Sequence, residues 1–488
     1  MSAGVRSPSF ALDAACLPLE PRMLLSAPVV AVPAQTYVSA PGLIGTLGVS
    51  ASAAGADGRS GDLFLAGATP AGLDFDPTAA SFVKGNPGVW APFVARYDPG
   101  QHPRWVHYFD VSGALGGKNE NGGGIVTALA AGPDGSMYAA GAFAGTVDFA
   151  DGGGPKLTTE RAADGALAHA VDVFLVKYDR DGDYQWCRLI SDVTTGTEGV
   201  AGLAVDRFGN AYLAASSTAV DPATGDPAAT HAYLAKFSAD GDRAWTSTLP
   251  AGLSAVAVDH YDSPWVAVGG QVLRAYELTA RRGRVVDRIG VAAADNSNGH
   301  GVGTISAKSI AFDAHNDLVL AGDFTRTFDF APGKPRLLFG DKRFNPDPAA
   351  TNVFVSKTRP ATGDLAFAFA VGGAKADHAA GAVVDPRTGD VVLVGTYAGT
   401  VDFDPSRHAA APLDSGISIS NQAFTDLFAA RYSPTGRFRA VTSNALPEYI
   451  ATAARGVGLT PTSVFAASSE NFPHVDFKSI ALFELPLG

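Results

Sequence analysis

Five Asp-Phe pairs are the first residues in the sequence whose type and spacing could do chemistry. Their acidic residues are Asp74, Asp148, Asp329, Asp402 and Asp476, and Asp76 and Asp404 add a second carboxylate to two of the pairs. Such a set could bind calcium, which takes roughly six or more oxygen ligands. Because each pair offers only one or two carboxylates, the simpler interpretation is that Asp caps a bend and Phe packs between repeats. We predict no cofactor, with calcium as the alternative.

The segment Asp179-Arg-Asp-Gly-Asp183 also has the composition of part of a calcium loop. However, Ser238-Ala-Asp-Gly-Asp242 occupies the same position of another repeat. Asp-Gly between two strands is typical of a hairpin. The two segments therefore predict tight turns without metal.

Ten histidines are spread along the chain without a metal-binding spacing. No His-x-His or His-x-x-x-His pair occurs among them, so the usual zinc pattern is absent. His300, flanked by glycines, is the one that could belong to a site, although a flexible loop is the simpler interpretation. The histidines are His102, His107, His169, His231, His260, His300, His315, His378, His408 and His474.

A cation closes the third strand of most repeats and could contribute to a charged ring. These residues are Arg96, Lys177, Lys236, Arg274, Lys357 and Arg431. We expect them instead to pair with carboxylates of the turns while their stems cover apolar edges. No Gly-x-Ser-x-Gly elbow and no phosphate-binding Gly-Lys-Ser/Thr loop is present. The sequence therefore predicts no catalytic, cofactor-binding or metal-binding residue.

These candidates lie in a repeat built from short strands. Clear copies of its second strand lie at 63–67, 137–141, 318–322 and 391–395, and weaker copies at 211–215, 265–269 and 464–468. An alternating segment with a tight turn precedes this strand and two more strands follow, so one repeat holds four strands. Such sheets bury both faces by packing radially, and small Ala-Gly ends suit a crowded centre. The pattern predicts an all-β, seven-bladed β-propeller of four-stranded antiparallel blades.

The repeat also resembles a known family. The order Val/Leu-Asp-x-x-Gly-Asn, then Tyr-Val-Ala-Gly, then Asp-Phe is similar to the seven-bladed bacterial propeller repeat often called the SBBP repeat. The resemblance covers about residues 43–485 and is strongest in repeats one, two, five and six. The Gly-His and Trp-Asp marks of WD-type repeats are missing, as are the repeated calcium loops of integrin-like propellers.

The propeller is expected to span residues 29–488. Its blades are expected at 41–112, 125–192, 200–250, 253–291, 307–373, 378–446 and 449–488. The last blade has no room for a fourth strand, because its third strand at 480–483 ends near the last residue. We predict that residues 29–39 supply this strand and close the ring.

Residues 1–28 have the character of an export leader or a disordered tail. Leu19-Glu-Pro-Arg-Met-Leu-Leu25 resembles the LEPR-x-LL motif of large extracellular proteins of planctomycete-type bacteria. Arg22 precedes a short, mostly apolar run with small residues beyond it, which are elements of a secretory signal. We therefore expect an extracellular or cell-surface protein.

Composition disfavours several classes of partner. The net charge is −12, with 36 Lys and Arg against 48 Asp and Glu, whereas nucleic-acid binding depends on clustered cations. The sequence lacks an apolar run of the roughly 18 residues that a spanning helix needs. Cys16 and Cys187 are the two cysteines, and they suggest neither a disulfide framework nor a metal site.

The connections between strands should fall on two faces of the propeller. Tight turns join the first to the second and the third to the fourth strand on one face, and the long connections share the other, where binding residues usually lie. We expect an unknown protein or glycan on the long-loop face. Polar residues distributed by repeat favour a non-catalytic binding or structural module. The alternatives are a propeller enzyme, a polysaccharide lyase or glycosidase with its site at the channel mouth, and a cytosolic protein–protein scaffold.

Overall fold

The chain forms antiparallel β-sheets in a computed structural model, and no helix occurs in the part that it describes. That part comprises residues 36–38, 50–56, 60–69, 73–75, 83–84, 91–100, 102–109, 111–112, 123–150, 152–159, 171–190, 196–220, 227–270, 273–293, 303–330, 337–339, 350–404, 406, 412–415, 425–444, 450–459, 463–471 and 478–486. The predicted all-β class is confirmed. No membrane-spanning helix is found in these residues.

The strands are β1 (Thr36–Val38), β2 (Ser50–Ala56), β3 (Leu63–Thr69), β4 (Leu73–Asp74), β5 (Val83–Lys84), β6 (Ala91–Tyr97), β7 (Pro103–Tyr108), β8 (Val111–Ser112), β9 (Gly123–Ala131), β10 (Met137–Ala144), β11 (Thr146–Asp148), β12 (Lys156–Thr158), β13 (Asp172–Tyr178), β14 (Tyr184–Ile190), β15 (Gly196–Val205), β16 (Ala211–Val220), β17 (Pro227–Phe237), β18 (Arg243–Leu249), β19 (Leu253–Val258), β20 (Pro264–Val268), β21 (Leu273–Leu278), β22 (Val285–Ala293), β23 (Ile305–Phe312), β24 (Leu318–Thr325), β25 (Thr327–Asp329), β26 (Leu337–Phe339), β27 (Thr351–Arg359), β28 (Asp364–Gly373), β29 (His378–Val384), β30 (Val391–Ala398), β31 (Thr400–Asp402), β32 (Pro412–Asp414), β33 (Thr425–Tyr432), β34 (Phe438–Asn444), β35 (Ile450–Leu459), β36 (Ser463–Asn471) and β37 (Lys478–Pro486).

Among the described residues, five of the nine sheets have four strands, and two six-stranded sheets each begin with four strands in the same antiparallel order, so the label sheet is used for each of these seven four-strand groups. They are sheet 1 (β2-β3-β6-β7), sheet 2 (β9-β10-β13-β14), sheet 3 (β15-β16-β17-β18), sheet 4 (β19-β20-β21-β22), sheet 5 (β23-β24-β27-β28), sheet 6 (β29-β30-β33-β34) and sheet 7 (β35-β36-β37-β1). In sheet 7 the outer strand comes from the other end of the chain, with Tyr37 opposite Ala481. The first strands of consecutive sheets are in contact, and β2 also contacts β35.

The hydrophobic core lies between neighbouring sheets. One buried cluster joins Phe64 of sheet 1 to Phe174 of sheet 2, and corresponding clusters join sheets 2 and 3, 3 and 4, 4 and 5, and 5 and 6. Strands that are buried on both faces explain why the second and third strands read as nearly continuous apolar runs rather than as strict alternation.

A bulge recurs in the first strand of sheets 1 to 6. The residues without a partner in the ladder are Ser52, Thr127, Ala201, Ser254, Lys308 and Ala380. Two residues before the bulge, a backbone carbonyl approaches the second strand. A Cβ built at Gly141 would lie 2.0 Å from Ile125 O, and one at Gly322 would lie 2.0 Å from Ser306 O. The second strand continues three residues beyond each of these glycines, so the predicted strand end is wrong, and glycine is required there by a close backbone approach.

Three of the Asp-Phe segments form short strands that pair with a strand of, or directly after, the preceding sheet, whereas β4 with Asp74 pairs with β5. β11 pairs with β8, which follows sheet 1, β25 pairs with the end of β22 in sheet 4, and β31 pairs with the end of β28 in sheet 5. The sequence predicted only a bend here. The strands β11, β25 and β31 therefore each connect one sheet with the sheet that precedes it in the chain.

Tryptophans on the fourth strands lock sheets 1 to 3 onto their successors. The indole N–H groups of Trp186 and Trp245 donate to Ala239 O (2.9 Å) and Ala280 O (3.0 Å) in the third-to-fourth turn of the next sheet. A Cβ at the turn glycine Gly241 would lie 2.6 Å from the Trp186 ring. The Trp and the turn glycine of two sheets are therefore one packing unit.

Candidate functional site

The cations that close the third strands form ion pairs with turn carboxylates, as predicted. Arg96 Nη2 lies 2.7 Å from Asp62 Oδ2, and Arg431 Nε lies 2.6 Å from Asp390 Oδ2. Lys236 Nζ lies 3.9 Å from Asp206 Oδ2 and donates to a carbonyl of the next sheet. Lys177 differs, since it lies over the Tyr138 ring and donates to Ala239 O.

Lys357 is the most enclosed lysine of this group. It contacts the carboxylate of Asp313, lies 3.7 Å from Asp317 Oδ2, and donates to Pro434 O of sheet 6 at 3.4 Å. Burial alone would raise the pKa of Asp313, but the donation from Lys357 and from two backbone N–H groups lowers it. This pair thus holds the turns of sheets 5 and 6 together.

Arg274 was wrongly assigned to this group. The register pairs Trp265 with Glu277, just as Val319 pairs with Lys357, so Glu277 holds the position of the cation in sheet 4. Arg274 is exposed and lies nearer the start of the strand. Because β21 carries both Arg274 and Glu277, the sequence alone did not show which of them holds the position of the cation.

The Asp-Phe pairs serve the structure where they are described. Asp148 Oδ1 accepts the N–H of Ala150 (2.9 Å) and Asp402 Oδ1 accepts that of Asp404 (3.0 Å), so the predicted caps are confirmed at these two pairs. Tyr178 donates to the carbonyl of the buried Phe149 at 2.8 Å.

The other acidic candidates add no cluster in the described part of the chain. Asp404 accepts the N–H of Ser406 (2.8 Å), Asp329 lies in β25 and Asp74 in β4. Asp76 and Asp476 lie outside the described residues. Within the described ranges, no group of three or more His, Cys, Asp or Glu side chains is close enough to hold a metal ion.

Both predicted Asp-Gly turns are confirmed. Asp179 Oδ1 accepts the N–H groups of Asp181 and Asp183, each at 2.9 Å. Gly182 has a φ of 93°, in the left-handed region that favours glycine. In the second turn, the N–H of Gly241 donates to Ser238 O at 2.9 Å.

The histidines separate into structural and exposed residues. His107 stacks on Tyr178 at 4.5 Å and bonds to Gly182 O. His378, His102 and His315 are exposed and lie within 4 Å of the carboxylates of Asp323, Asp98 and Asp313. His231 and His260 are also exposed. His169, His300, His408 and His474 lie outside the described residues.

Cys187 is a buried free thiol, and Cys16 lies outside the described residues. Burial raises the pKa of the Cys187 thiol, and the hydroxyl of Tyr184 lies 3.2 Å from its sulfur. A buried thiol with a raised pKa is a poor nucleophile.

One cleft lies on the tight-turn face of the structure, and a smaller one lies on the opposite face. This turn-face cleft has a volume of about 860 Å³ and is bounded by first-to-second turns of sheets 4 to 6 and third-to-fourth turns of sheets 5 and 6. Its buried charges already have partners: Lys357 is paired with Asp313, and Asp259 Oδ2 accepts the indole N–H of Trp265 at 3.2 Å. The charged base of this cleft is therefore part of the framework.

The second cleft, the loop-face cleft, lies on the opposite face. Its walls are strand ends of sheets 4, 5 and 6, its volume is about 500 Å³, and its lining residues are Gly252, Leu253, Ser254, Gly269, Gly270, Thr304, Ile305, Ser306, Lys308, Asp323, Phe324, Thr325, Thr351 and His378. Starts of first strands and ends of second strands meet here, which is the face that the sequence predicts for recognition.

Three charged or titratable groups meet in the loop-face cleft. Asp323 Oδ2 lies 3.2 Å from His378 Nδ1 and 3.8 Å from Lys308 Nζ, and Asp323 Oδ1 accepts the N–H of Ala379 at 2.7 Å. The hydrogen bond to Asp323 raises the pKa of His378, against the effect of burial. The Asp323 carboxylate therefore favours the protonated, cationic form of His378.

The buried carboxyl of Asp377 precedes His378 in the chain and acts on its charge. Asp377 accepts the N–H groups of Gly373 (2.8 Å) and Ala398 (3.1 Å). Burial raises its pKa to about 7. Neither Asp323 nor Asp377 was predicted from the sequence, and His378 was not singled out among the histidines. The available signal was Asp-His directly before an apolar strand.

Comparison with solved structures finds resemblance at low identity. A protein of unknown function from Dyadobacter fermentans covers 94% of this chain and 100% of its own, with 10% identity and a TM-score of 0.40. The major allergen Mala s 1 of Malassezia sympodialis covers 93% and 96%, with 11% identity and a TM-score of 0.37. The Dos1 propeller covers 77% and 93%, with 8% identity and a TM-score of 0.33. No family model and no curated protein matches the chain. Since these TM-scores are below 0.5, we draw no function from them.

Proposed function

We propose that this chain is a secreted or cell-surface β-propeller of SBBP type that acts as a non-catalytic binding module, with its ligand in the loop-face cleft. In this proposal the propeller has seven blades, formed by sheets 1 to 7, and β1 closes the ring. Residues 1–28, with their LEPR-x-LL segment, serve as the export leader.

Two observations support a closed ring. The first strands of sheets 1 to 7 contact one another in chain order, and the first and last of them, β2 and β35, are also in contact. In addition, β1 pairs with β37 and gives sheet 7 its fourth strand. A ring leaves no large apolar sheet face exposed, which is the physical reason for radial closure.

The observation that carries the binding role is the exposure of the loop-face cluster. The side chains of Lys308 and His378 are 43% and 54% exposed, whereas Lys357 of the turn-face cleft is only 6% exposed. An exposed polar group in a cleft is available to a ligand, whereas a buried ion pair serves the framework. The loop-face cleft is therefore the better ligand site.

A ligand screen tests this role. The full chain is screened against a glycan array and a peptide array, and each hit is measured again with Lys308→Met and His378→Gln. Both variants should weaken the hits by about 10-fold, which corresponds to about 1.4 kcal/mol. Lys156→Met and His315→Gln are matched controls with exposed side chains outside the cleft, and they should leave binding unchanged. Hits unaffected by the cleft variants would contradict the assignment.

The enzyme alternative is tested in the same samples. Polysaccharide hits are incubated with the protein, and new reducing ends or unsaturated products are measured. Cleavage that is lost in His378→Gln would replace the binding module by a propeller lyase or glycosidase. Binding without cleavage would support the module.

Export and calcium are tested separately. Expression of the full chain in a bacterial host, followed by N-terminal sequencing of the extracellular fraction, should find a mature protein that begins after the LEPR-x-LL segment. Intact Met1 on protein from the cytosol would contradict export and favour the cytosolic scaffold. A rise of Tm with added calcium would support the alternative that the Asp-Phe carboxylates bind calcium.

A further inference from the structure

The loop-face cleft exposes its cations and covers its carboxylate. The Asp323 side chain is only 15% exposed and already accepts an N–H bond from Ala379, whereas Lys308 and His378 are about half exposed. The charges of Lys308 and Asp323 cancel, so protonation of His378 gives the cluster a net charge of +1 in a chain whose net charge is −12. An anionic group is the natural ligand for such a pair.

The strand that carries Lys308 explains why its amine can reach the cleft. Lys308 is the bulged residue of β23, without a partner in the ladder between Ala307 and Ser309. Bulges re-aim a side chain at functional positions of a sheet. The same position holds Ala201 in sheet 3, Ser254 in sheet 4 and Ala380 in sheet 6, so sheet 5 alone among these four carries a cation there.

The remaining lining combines hydroxyl and apolar side chains. The hydroxyl residues are Ser254, Thr304, Ser306, Thr325 and Thr351, the apolar ones are Leu253, Ile305 and Phe324, and Asp323 is the sole acidic residue in the described lining. Hydroxyl side chains donate and accept hydrogen bonds in turn, which matches the hydroxyls of a sugar. The volume of about 500 Å³ lies in the usual range of small-ligand sites, about 300–1,000 Å³.

We propose that the loop-face cleft binds an acidic sugar, with the sugar carboxylate between Lys308 Nζ and the His378 imidazole and the ring hydroxyls against the Ser and Thr side chains. The proposal rests on the proposed binding function and names the ligand class of that same cleft.

The affinity of the cleft for an anion should depend on pH, because the charge of the cleft does. The charged groups that face His378 are Asp323, Lys308 and Asp377. As pH falls from 8 to 6, Asp377, whose pKa burial raises to about 7, gains a proton. Lower pH also favours protonation of His378, whose pKa is raised by the hydrogen bond to Asp323. Both changes make the cleft more positive, and so the anion should bind more tightly at pH 6.

The test uses a galacturonate trisaccharide and its methyl ester, which removes the charge and leaves the sugar otherwise intact. Calorimetry on the full chain should give a Kd at least about 10-fold lower for the acid than for the ester, and a lower Kd at pH 6 than at pH 8. Lys308→Met should remove most of the preference for the acid, and His378→Gln should reduce the pH dependence to the part that Asp377 contributes. Lys156→Met should change neither.

Three results would overturn the acidic sugar. Equal binding of acid and ester would mean that charge is not recognised, although the binding module would stand. Binding of a peptide carboxylate with no binding of the sugar acid would also leave the module intact but exclude the sugar. If Lys308→Met leaves the binding of the acid unchanged, the sugar acid binds at a site other than the loop-face cleft. Loss of every hit in the wider array screen would instead reject the binding function itself.

Discussion

Gly322 shows at the scale of one residue why the second strand carries a glycine opposite the first-strand bulge. A Cβ there would lie 2.0 Å from Ser306 O, so Gly322→Ala should lower the free energy of unfolding by about 1–3 kcal/mol through a forced backbone shift. Gly199→Ala is the control, because nothing lies within 4 Å of a Cβ built there, and its effect should stay within about 0.5 kcal/mol. Urea unfolding measures both variants. Equal effects would contradict the bulge as the reason for glycine.

Asp426 is a buried carboxyl that should make stability depend on pH. Burial, and after it the neighbouring Asp414, raises its pKa to about 8, whereas an unfolded Asp has a pKa of about 3.9. Between these values the folded state holds a proton that the unfolded state releases. Its contribution to stability is therefore complete below about pH 4 and is lost as the pH rises to about 8.

Asp426→Asn should remove this pH dependence. Asn352 holds the same register position in sheet 5, so the amide has a precedent in the fold. The free energy of unfolding of the variant, relative to the parent, should be greater at pH 8 than at pH 5. Denaturant unfolding at both pH values measures it, with the exposed Asp240→Asn as the control. A difference that does not change with pH would contradict a protonated Asp426.

Ion pairs between turns act at the scale of elements, where they join one sheet to the next. Lys357→Met should cost about 3–5 kcal/mol, because Asp313 is left charged and buried. Adding Asp313→Asn should recover most of that loss, a coupling that a double-mutant cycle measures. The pair of the exposed Arg207 and the partly buried Asp262, at 2.8 Å, is the comparison. Arg207→Met should cost less than about 1 kcal/mol, because the arginine of this pair is solvated. Additive effects of the first two substitutions would contradict the pairing.

Elements that depend on local signals were predictable from the sequence, and those that depend on distant partners were not. The turns at 179–183 and 238–242 followed from Asp-Gly, because turn chemistry is local. The short strands β11, β25 and β31 did not follow, because three residues show no alternation and their partners belong to the preceding sheet. Arg274 was misplaced for the same reason, since only pairing with Trp265 identifies Glu277 as the residue at that position.

At the scale of the whole molecule, the charged cluster of the candidate site forms where side chains of sheets 5 and 6 come into contact. Asp323 and His378 are 55 positions apart, and no sequence spacing joins them. Sequence reasoning predicts a recognition face from the distribution of long connections, but it could not predict the cleft, because the bulge that displaces Lys308 is a property of strand pairing. The fold class was therefore easier to predict than the site.

Closure of the ring can be tested by a covalent link across it. The register places residues 37 and 481 opposite each other, so Tyr37→Cys with Ala481→Cys, in a Cys16→Ser background, should form a disulfide. Cross-linking so long a loop should raise the free energy of unfolding by about 2–4 kcal/mol. Thr36→Cys with Ala481→Cys is the matched control, since a shift of one residue points the two side chains to opposite faces. Unfolding with and without reductant measures both pairs. If both pairs oxidise equally, or neither does, the strand from the N-terminal region does not occupy the register that ring closure requires.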